Sequence, residues 1–378
     1  MLASGSINRR SLLASGIALG STVFVNGCTT VADTGIALPG PQKCLSPVNV
    51  SQDRVIRQLV GLRPYRPTGF VVRREALGDK QIVHNYGHGG GGITLAWGSS
   101  RLAVDLALQD TQGPVAVLGA GIMGLTTARL LQEAGRSVTI YTSQLPPNTT
   151  SNIAGGQWYP SSVFRRSLVT SGFQQQFIAA ANYSYKRYQI FVGEQYGVRW
   201  LQNYELSSSP IGGGLTDQLI ASMVPAKREI PPDQNPFGTK HLRRWNGMYI
   251  EPSRFLRQLE RDILISGGKI GVRHFADQSQ IQELPQKLIC NCTGLGSAKL
   301  FGDDELVPVR GQLEVLLPQP EIDYAYTTRN GLYMFPRSDG IVLGGTYDQG
   351  ETDLTPDPET ARNIINGHSS ISKAMRCA

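Results

Sequence analysis

Two segments of this 378-residue chain combine residue types that could hold an anionic ligand against bare backbone. Residues 61–67 read Gly-Leu-Arg-Pro-Tyr-Arg-Pro, and residues 85–94 read Asn-Tyr-Gly-His-Gly-Gly-Gly-Gly-Ile-Thr. The guanidinium of Arg63 can bind a carboxylate through two parallel hydrogen bonds, and the nearby prolines stiffen its backbone. A glycine run lets backbone approach a bulky ligand closely. The first segment therefore predicts an anion clamp, and the second predicts a contact surface.

A third segment, further along the chain, has the pattern of a dinucleotide cradle. An apolar run of strand length at residues 114–118 leads into a Gly-x-Gly-x-x-Gly turn, a helical period over residues 125–134 and a second strand at 137–141. This order is that of a βαβ unit whose helix N-terminus offers free N–H groups to phosphates. We predict a dinucleotide site there, with a chance turn as the alternative. The predicted contacts are Gly119, Ala120, Gly121, Ile122, Met123 and Gly124.

The residues after the second strand favour FAD over NAD. An acidic residue ordinarily ends this strand and binds the ribose hydroxyls, but Ser143 and Gln144 stand there and bind more weakly. The loop that follows is rich in hydroxyls, which can donate to a pyrophosphate, and in small residues, which let backbone lie against a flat ring system. An ordinary polar loop is the alternative. The loop residues predicted to contact the cofactor are Thr149, Thr150, Ser151, Gly156 and Gln157.

These segments together resemble the D-amino-acid oxidase family of FAD enzymes, which includes D-aspartate oxidase. The resemblance covers nearly everything from about residue 50 to 378, and it implies an α/β fold with a Rossmann-like FAD-binding domain and an antiparallel-sheet substrate domain. The matching stretches are residues 61–67, 85–94, 117–124, 149–158, 291–294, 309–312, 333–336 and 343–346. In the family the first two of these come last, so the resemblance implies a circular permutation.

A circular permutation requires that the original ends lie close together. We expect a helix at about residues 99–108 to run to the sheet edge where the strand at 114–118 begins, so that a short bridge joins them. The new ends would then fall in a surface loop, between a helix near residues 358–366 and a strand near 55–60. One alternative is a fused fragment of a second oxidase, but each motif occurs once. The other is a random rearrangement without function, but no motif is missing.

The predicted organisation divides the chain into an export signal, a linker and a permuted oxidase. The export signal spans residues 1–28, the linker 29–50 and the oxidase 51–378. We expect the FAD-binding parts at about residues 84–160, 251–300 and 356–378, and the substrate-domain parts at about 61–83, 161–250 and 305–355. Strands at 198–206, 309–317 and 333–347 are predicted to form an antiparallel sheet over the flavin.

The resemblance also implies which residues hold the substrate. The family's reaction moves the α-hydrogen of a D-amino acid to the flavin, apparently as hydride; the resulting imino acid hydrolyses to a 2-oxo acid and ammonia, and O2 becomes hydrogen peroxide. Arg63 and the hydroxyl of Tyr333 would bind the carboxylate, the carbonyl of Gly90 would accept the amine, and Tyr159 would line the pocket. Pairing of Arg63 with a local acid is the alternative.

Other residues near these segments receive cofactor or structural roles. The cofactor contacts implied by the resemblance are Gly89, Gly91, Gly92, Ile93, Thr94, Thr293 and, through its backbone, Phe275. His88 is predicted to pack and to hydrogen-bond rather than to act as a base, while Arg66 and Arg337 are predicted to form ion pairs. Residues 328–332 lack a second tyrosine that the family often carries four positions before Tyr333, so the sequence does not predict how the substrate site is covered or which substrate size it admits.

The N-terminal residues are typical of an export signal. Arg9 and Arg10 precede a short apolar stretch, as in twin-arginine signals, and that stretch is too short to span a bilayer comfortably. A cytosolic tail with a chance Arg-Arg pair is the alternative. Cys28 resembles a lipoprotein-box cysteine, so a lipid anchor there stays open. We expect an exported protein, either periplasmic or anchored on the outer side of the inner membrane.

The bulk composition restricts the remaining function classes. The chain is 40% hydrophobic with a mean hydropathy of -0.18, so it can bury a large core and is not a membrane bundle. Its net charge of +7 comes from scattered residues without a basic run, which argues against nucleic-acid binding. No cysteine pair has metal-finger spacing, so we expect no metal; Cys290 and Cys292 suit the end of a buried strand, and a disulfide elsewhere stays open.

The sequence therefore predicts an FAD-dependent D-amino-acid oxidase, with a small-molecule D-amino acid and O2, or another electron acceptor, as its partners. A related amine oxidase or dehydrogenase acting on glycine, sarcosine or D-aspartate is the first alternative. A non-catalytic D-amino-acid-binding lipoprotein is the second. The oligomeric state stays open.

Overall fold

Two β-sheets, one of six strands and one of nine, form the framework of the described chain. The computed structural model describes residues 44–109 and 112–377. The strands there are β1 Val55–Tyr65, β2 Val71–Leu77, β3 Lys80–Tyr86, β4 Val115–Leu118, β5 Val138–Thr142, β6 Val198–Ser207, β7 Arg228–Ile230, β8 His241–Ile250, β9 Lys269–Val272, β10 Leu288–Asn291, β11 Val307–Leu316, β12 Tyr324–Thr328, β13 Tyr333–Arg337, β14 Gly340–Gly344 and β15 Asp348–Gln349. The helices are α1 Gly92–Ala107, α2 Ile122–Glu133, α3 Thr150–Ile153, α4 Ser171–Ile190, α5 Leu215–Leu219, α6 Pro252–Ile265, α7 Gln278–Gln282, α8 Gly296–Phe301 and α9 Pro358–Ala374.

The six-stranded sheet contains the predicted βαβ unit. Its order is β2-β3-β10-β4-β5-β9, and all neighbours are parallel except β2 and β3. All four residues of β4 are buried, because Val115 and Val117 face the core beneath α1 and α2 while Ala116 and Leu118 face a second cluster on the other side. Burial on both faces is why this strand is an unbroken apolar run.

Helix α1 begins seven residues earlier than the predicted start at residue 99. A 3₁₀ turn at Gly89–Gly91 leads directly into it, so Gly98 lies inside the helix instead of before it. A Cβ at Gly98 would come within 1.8 Å of the carbonyl oxygen of Ala180. Gly98 therefore permits close packing of α1 against α4, a contact between helices that local sequence does not reveal.

The nine-stranded sheet is mixed, not antiparallel as predicted. Its order is β1-β11-β14-β13-β12-β6-β8-β7, with β15 also paired to β11, and β12 runs parallel to β6. Strands β6 and β12 are far apart in the chain, with β7 to β11 between them. A long connection, not a hairpin, therefore joins them, as parallel neighbours require. The predicted strand at 333–347 is two strands, β13 and β14, because the chain reverses at Ser338-Asp339 before Gly340 (φ 143°).

Two predicted domain assignments need correction. Residues 71–83 were assigned to the substrate domain, but β2 and β3 extend the six-stranded sheet because Ile82 and Val83 are buried beside β10. Residues 356–378 were assigned to the FAD-binding part, but α9 packs against β11 and β14 of the nine-stranded sheet. Its Ile364 and Ile365 share a core cluster with Leu343, which fixes the helix to that side.

The described part of the predicted linker is attached to the fold. Val48 is buried, the N–H of Asn49 donates to Gln319 at 2.7 Å, and Cys44 forms a disulfide with Cys377. Residues 44–50 are therefore not a free tether. The predicted export signal at 1–28, with Arg9, Arg10 and Cys28, lies outside the described residues. Within the described ranges, none of the helices combines the length and apolar character needed to cross a membrane.

Candidate active site

A cavity of about 850 Å³ opens between residues of the two sheets. Its wall includes Arg63, Gly89, Gly90, Gly92, Ile93, Gly119, Ala120, Gly121, Ile122, Met123, Ser143, Gln144, Thr149, Thr150, Ser151, Gly156, Gln157, Tyr159, Phe275, Thr293 and Tyr333. Three residues predicted to contact the cofactor do not line it. Gly91 packs against Val163, Gly124 against the backbone of Gly119, and Thr94 is buried in α1.

The glycines after β4 shape the dinucleotide end of the cavity. Gly119 has a φ of 100°, and a Cβ there would come within 2.6 Å of the carbonyl oxygen of Cys292. A Cβ at Gly124 would lie 1.9 Å from the carbonyl oxygen of Gly119, so its absence lets α2 approach β4. The N–H of Ile122 donates to the hydroxyl of Ser151 at 3.0 Å, which places the predicted hydroxyl loop at the N-terminus of α2.

Thr142, which the sequence analysis missed, organises the end of β5. Its hydroxyl accepts from the N–H of Ala120 at 3.2 Å and donates to the carbonyl of Gln144 at 2.7 Å. The residue thus joins the glycine turn to the Ser143-Gln144 turn, where the acidic residue was sought. A threonine as the last residue of the strand was the available signal.

Phe275 and Thr293 line the cavity beside these turns. The guanidinium of Arg273 lies 4.9 Å from the centre of the Phe275 ring, and Tyr141 meets that ring edge-on. The hydroxyl of Thr293 donates to Asn291 at 2.8 Å, and the amide of Asn291 contacts the ring of His84. Aromatic surface next to hydroxyls and phosphate-binding turns suits the adenosine half of a dinucleotide.

The glycine-rich turn after β3 is seated on the loop at Ser161-Ser162. A Cβ at Gly89 would lie 2.1 Å from the carbonyl oxygen of Ser162, and the N–H of Gly90 donates to that same oxygen at 3.2 Å. Ser162 itself has a φ of 52°, a conformation that is uncommon outside glycine. The glycines are therefore needed because protein backbone covers one side of the turn while the other side lines the cavity.

His88 has the packing part of the role predicted for it, but not the hydrogen-bonding part, because its Nε2 is buried without a partner among the described residues. Its ring is buried and stacks on Phe70 with 4.5 Å between ring centres. Burial lowers the pKa of His88 to about 3, so the ring is neutral at physiological pH. Arg66 and Arg337 form the predicted ion pairs, with Asp303 at 3.0 Å and Asp339 at 2.8 Å.

Arg63 remains without an acidic partner. Its Nη2 donates to the hydroxyl of Tyr333 at 3.3 Å, while Nη1 is buried with no hydrogen-bond partner and no described carboxylate pairs with it. The predicted alternative, a local acid, is therefore wrong for the residues that the structure describes. A buried guanidinium nitrogen that lacks a partner inside a cavity is suited to binding the carboxylate of a ligand.

Two glycines make room for this pair, and the sequence analysis gave them no role. A Cβ at Gly311 would lie 2.4 Å from Nη1 of Arg63, and a Cβ at Gly344 would lie 2.1 Å from the ring of Tyr333. Both occur in stretches that carried the resemblance, but their function depends on pairing between β1, β11, β13 and β14. Tyr347, also missed, lines the cavity near Tyr65.

The fold and the glycine turns are those of a dinucleotide-binding protein, and the unpaired guanidinium of Arg63 lines the same cavity. The model of the DAO family, FAD dependent oxidoreductase, matches residues 38–106 and 114–371. The chain belongs to this family, and FAD is its cofactor. The glycine turns, where added Cβ atoms would meet backbone, and the unpaired Arg63 fit such a cofactor beside its substrate.

Named relatives agree with this family. The chain is 30% identical to a D-amino acid oxidase of Dugesia ryukyuensis over 272 residues, which are 69% of this chain and 78% of that protein. It is 31% identical to a D-amino-acid oxidase of Streptomyces coelicolor over 264 residues (68% and 77%) and 28% identical to human D-aspartate oxidase over 271 residues (70% and 77%).

Solved structures show the same fold. Iminodiacetate oxidase from Chelativorans sp. BNC1 aligns with a TM-score of 0.51 at 16% identity, over 69% of this chain and 79% of that one. Glycine oxidase from Bacillus cereus aligns with a TM-score of 0.50 at 14% identity, over 68% and 78%. The α/β fold predicted for an oxidase of this type is confirmed.

The role of Gly124 gives a test of the cofactor end. In Gly124→Ala the new methyl group would press on the Gly119 carbonyl, and overpacking of this kind costs about 1–3 kcal/mol. We expect FAD affinity to fall by about tenfold, measured by flavin fluorescence on titrating apoprotein. Gly172→Ala is the matched control, because that glycine lies in the first turn of α4 with only Thr170 nearby, at 3.9 Å. Equal FAD affinity in the two variants would contradict the role given to Gly124.

Proposed function

We propose that the protein oxidatively deaminates D-amino acids to 2-oxo acids. The observation that carries the proposal is the buried, unpartnered Nη1 of Arg63 beside the hydroxyl of Tyr333, in the same cavity as the dinucleotide turn. The carboxylate of an α-amino acid would complete the hydrogen bonding of both groups. The names of the relatives that are about 30% identical support the D-amino-acid class.

Space beyond the clamp favours an amino acid with a side chain over glycine. Tyr159, Trp245 and Thr327 line the cavity past Tyr333, so the wall continues where the side chain of a substrate would extend. Glycine would leave this region without a ligand. The same wall is consistent with several classes of substrate side chain.

The residues of the chain bind and orient, and the cofactor supplies the redox chemistry. Bound FAD would supply the two-electron acceptor, to which the α-hydrogen and its electron pair would pass. As the C–H bond breaks, the nitrogen lone pair forms a C=N bond; water then converts the imine to the 2-oxo acid and ammonia, and O2 takes the two electrons and two protons as hydrogen peroxide. Arg63 and Tyr333 would hold the carboxylate while the Gly90 carbonyl accepts the amine.

A general base is not required if the amine arrives neutral. His88 is the histidine nearest the turn in sequence, and burial holds its pKa at about 3. Burial also raises the pKa of Tyr159 well above its usual range, so this hydroxyl stays protonated. We therefore assign the reaction to orientation rather than to proton abstraction by either side chain.

Replacement of Arg63 tests the proposal. Arg63→Ala should reduce kcat/KM for D-alanine by an amount equivalent to about 2–5 kcal/mol, because the substrate carboxylate loses a desolvated partner. FAD should remain bound, as judged by the visible spectrum. Tyr333→Phe should have a smaller effect in the same direction, because it removes one hydroxyl.

Arg57→Ala is the control, because Arg57 lies on the same strand but is exposed and pairs with Asp339 outside the cavity. Normal turnover by Arg63→Ala would refute the site assignment. With the wild type, flavin bleaching by D-alanine without O2 consumption would indicate a dehydrogenase. If no amino acid bleaches the flavin, the result would favour the alternative of a non-catalytic D-amino-acid-binding protein.

We further propose that the chain is a circular permutation of its family. The family model matches two separate stretches, residues 38–106 and 114–371. The first stretch is integral to both sheets, because β1 pairs with β11 over its whole length and β3 pairs with β10. The Cα atoms of Cys44 and Cys377 lie 4.8 Å apart, so a chain that continued directly from one to the other would need almost no linker.

A reordered chain tests this idea. Residues 113–377 would come first and residues 44–108 would follow, joined between Cys377 and Cys44. We expect this chain to bind FAD and to have the same visible spectrum and melting temperature, because the tertiary contacts are retained. As a control, a chain opened between Gly311 and Gln312 breaks β11 and should not fold. If the reordered chain folds no better than the control, the permutation is refuted.

We also propose that the protein is exported, to the periplasm or to the outer side of the inner membrane. The Cys44–Cys377 disulfide supports this, because such bonds persist in oxidising compartments. Replacing both Arg9 and Arg10 with lysine should retain the protein in the cytoplasm. The disulfide should then not form, so that Cys44 and Cys377 can be alkylated. In the wild type, Cys44 and Cys377 should both resist alkylation. If a lipid on Cys28 anchors the protein, Cys28→Ser should release it from membranes. An unchanged distribution of the double variant would contradict twin-arginine export.

A further inference from the structure

A row of residues crosses the nine-stranded sheet from the carboxylate clamp to the far wall of the cavity. Tyr333 of β13 lies opposite Thr327 of β12, Thr327 lies opposite Glu205 of β6, and Glu205 lies opposite Arg243 of β8. Side chains of directly paired residues point to the same face of a sheet. Tyr333, Thr327 and Glu205 accordingly all line the cavity, whereas Arg243 does not.

The spacing of this row suits a long side chain. Neighbouring strands are about 4.8 Å apart, so the Glu205 backbone lies roughly 10 Å from that of Tyr333 across two strand intervals. A substrate whose carboxylate is bound by Arg63 and Tyr333 would therefore reach Glu205 only with a long, extended side chain. Tyr159 and Trp245 line the cavity as well and would cover the apolar part of such a side chain.

The carboxylate of Glu205 is poorly satisfied within the protein. It makes no hydrogen bond among the described residues, and its ion-pair contact is with Arg243 at a long 3.7 Å. Arg243 is shared with Glu229 at 3.6 Å and also donates to the carbonyl of Ile211. The side chain of Glu205 is only 24% exposed, and burial raises its pKa despite Arg243. A half-buried carboxylate of this kind gains stability from a cation that donates hydrogen bonds.

The other charged groups on this wall neutralise each other. Lys227 pairs with Asp217, and the hydroxyl of Tyr159 donates to the same carboxylate at 3.1 Å. Burial opposes ionisation of Asp217, but Lys227 and the N–H of Gly214 outweigh it and lower its pKa. Two carboxylates and one ammonium thus line this end of the cavity, and the carboxylate left over is that of Glu205. Arg329, the remaining cation that acts on Glu205, is exposed and lies outside the cavity wall.

We propose that Glu205 determines side-chain specificity and that the preferred substrates are D-amino acids with a long cationic side chain, the class of D-arginine and D-lysine. This inference rests on the proposed oxidation of D-amino acids. The guanidinium or ammonium of the substrate would bind Glu205, while Arg63 binds the carboxylate at the other end. An acidic side chain would meet Glu205 as a like charge, and Lys227, the described cation that lines this end of the cavity, is already paired with Asp217.

Neutral substrate analogues of matched shape test the proposal without any variant. We expect kcat/KM of the wild type to be about tenfold or more higher for D-arginine than for D-citrulline, since a hydrogen bond to a charged group has about this value. The kcat/KM for D-lysine should likewise be higher than that for D-norleucine. Equal values within each pair, or a preference for D-aspartate or D-glutamate, would overturn the assignment of Glu205. Oxidation of none of these compounds, nor of D-alanine, would instead refute the proposed function itself.

The variant Glu205→Gln then assigns the preference to one residue. It removes the charge and keeps the shape, so the ratio of kcat/KM for D-arginine over D-citrulline should fall to near one. Glu229→Gln is the matched control, because Glu229 contacts the same Arg243 but is exposed and does not line the cavity. This control should keep the wild-type ratio. FAD content and melting temperature verify that both variants fold, and a wild-type ratio in Glu205→Gln would overturn the assignment.

Discussion

The site depends on keeping one guanidinium away from every carboxylate of the described chain. Leaving a charged group buried without its full complement of hydrogen bonds costs free energy, and nearby acids ordinarily remove that cost. Arg66, three residues after Arg63, is paired in this way with Asp303 and Glu305. Arg63 instead lies against Gly311, and among the described residues its side chain donates a hydrogen bond to the hydroxyl of Tyr333 alone. The sheet holds this arrangement because β1 is paired with β11 along its length, and the two glycines at 311 and 344 leave the required space.

The parts of the site that the sequence predicted well are those built from neighbouring residues. The turn after β4, helix α2 and strand β5 are continuous in the chain, so the glycine spacing and the apolar period were sufficient to place them. The hydroxyl loop was placed for the same reason. The N–H of Ile122 finds Ser151 only about thirty residues away, within one supersecondary unit.

The parts that could not be predicted depend on pairing between distant strands. Gly98 resembled a helix boundary, but it is a point of close contact with Ala180. Nothing local in strand β3 indicates that β10, about two hundred residues later, is its neighbour. Thr327 and Glu205 could not be predicted as site residues, because Thr327 is placed opposite Tyr333 by the antiparallel pairing of β12 with β13. Glu205 is placed opposite Thr327 by the parallel pairing of β6 with β12. A cavity wall formed by residues aligned across neighbouring strands can be predicted only when the register of the sheet is known.

The site residues come from segments that are distant in the chain, and for this reason the order of the segments matters little to the site. Arg63 lies on β1, Tyr333 on β13, Gly90 in the 3₁₀ turn before α1 and Gly119 in the turn after β4, and each is positioned by contacts with a segment distant in the chain. In the proposed permutation, the connection between the segments that end at Cys377 and begin at Cys44 is replaced by the connection between residues 108 and 113. The contacts that position the site residues remain. A disulfide between Cys44 and Cys377 then limits separation of the two segments that the exchange leaves unjoined. By restricting the unfolded chain it would offset part of the entropy lost with the original connection.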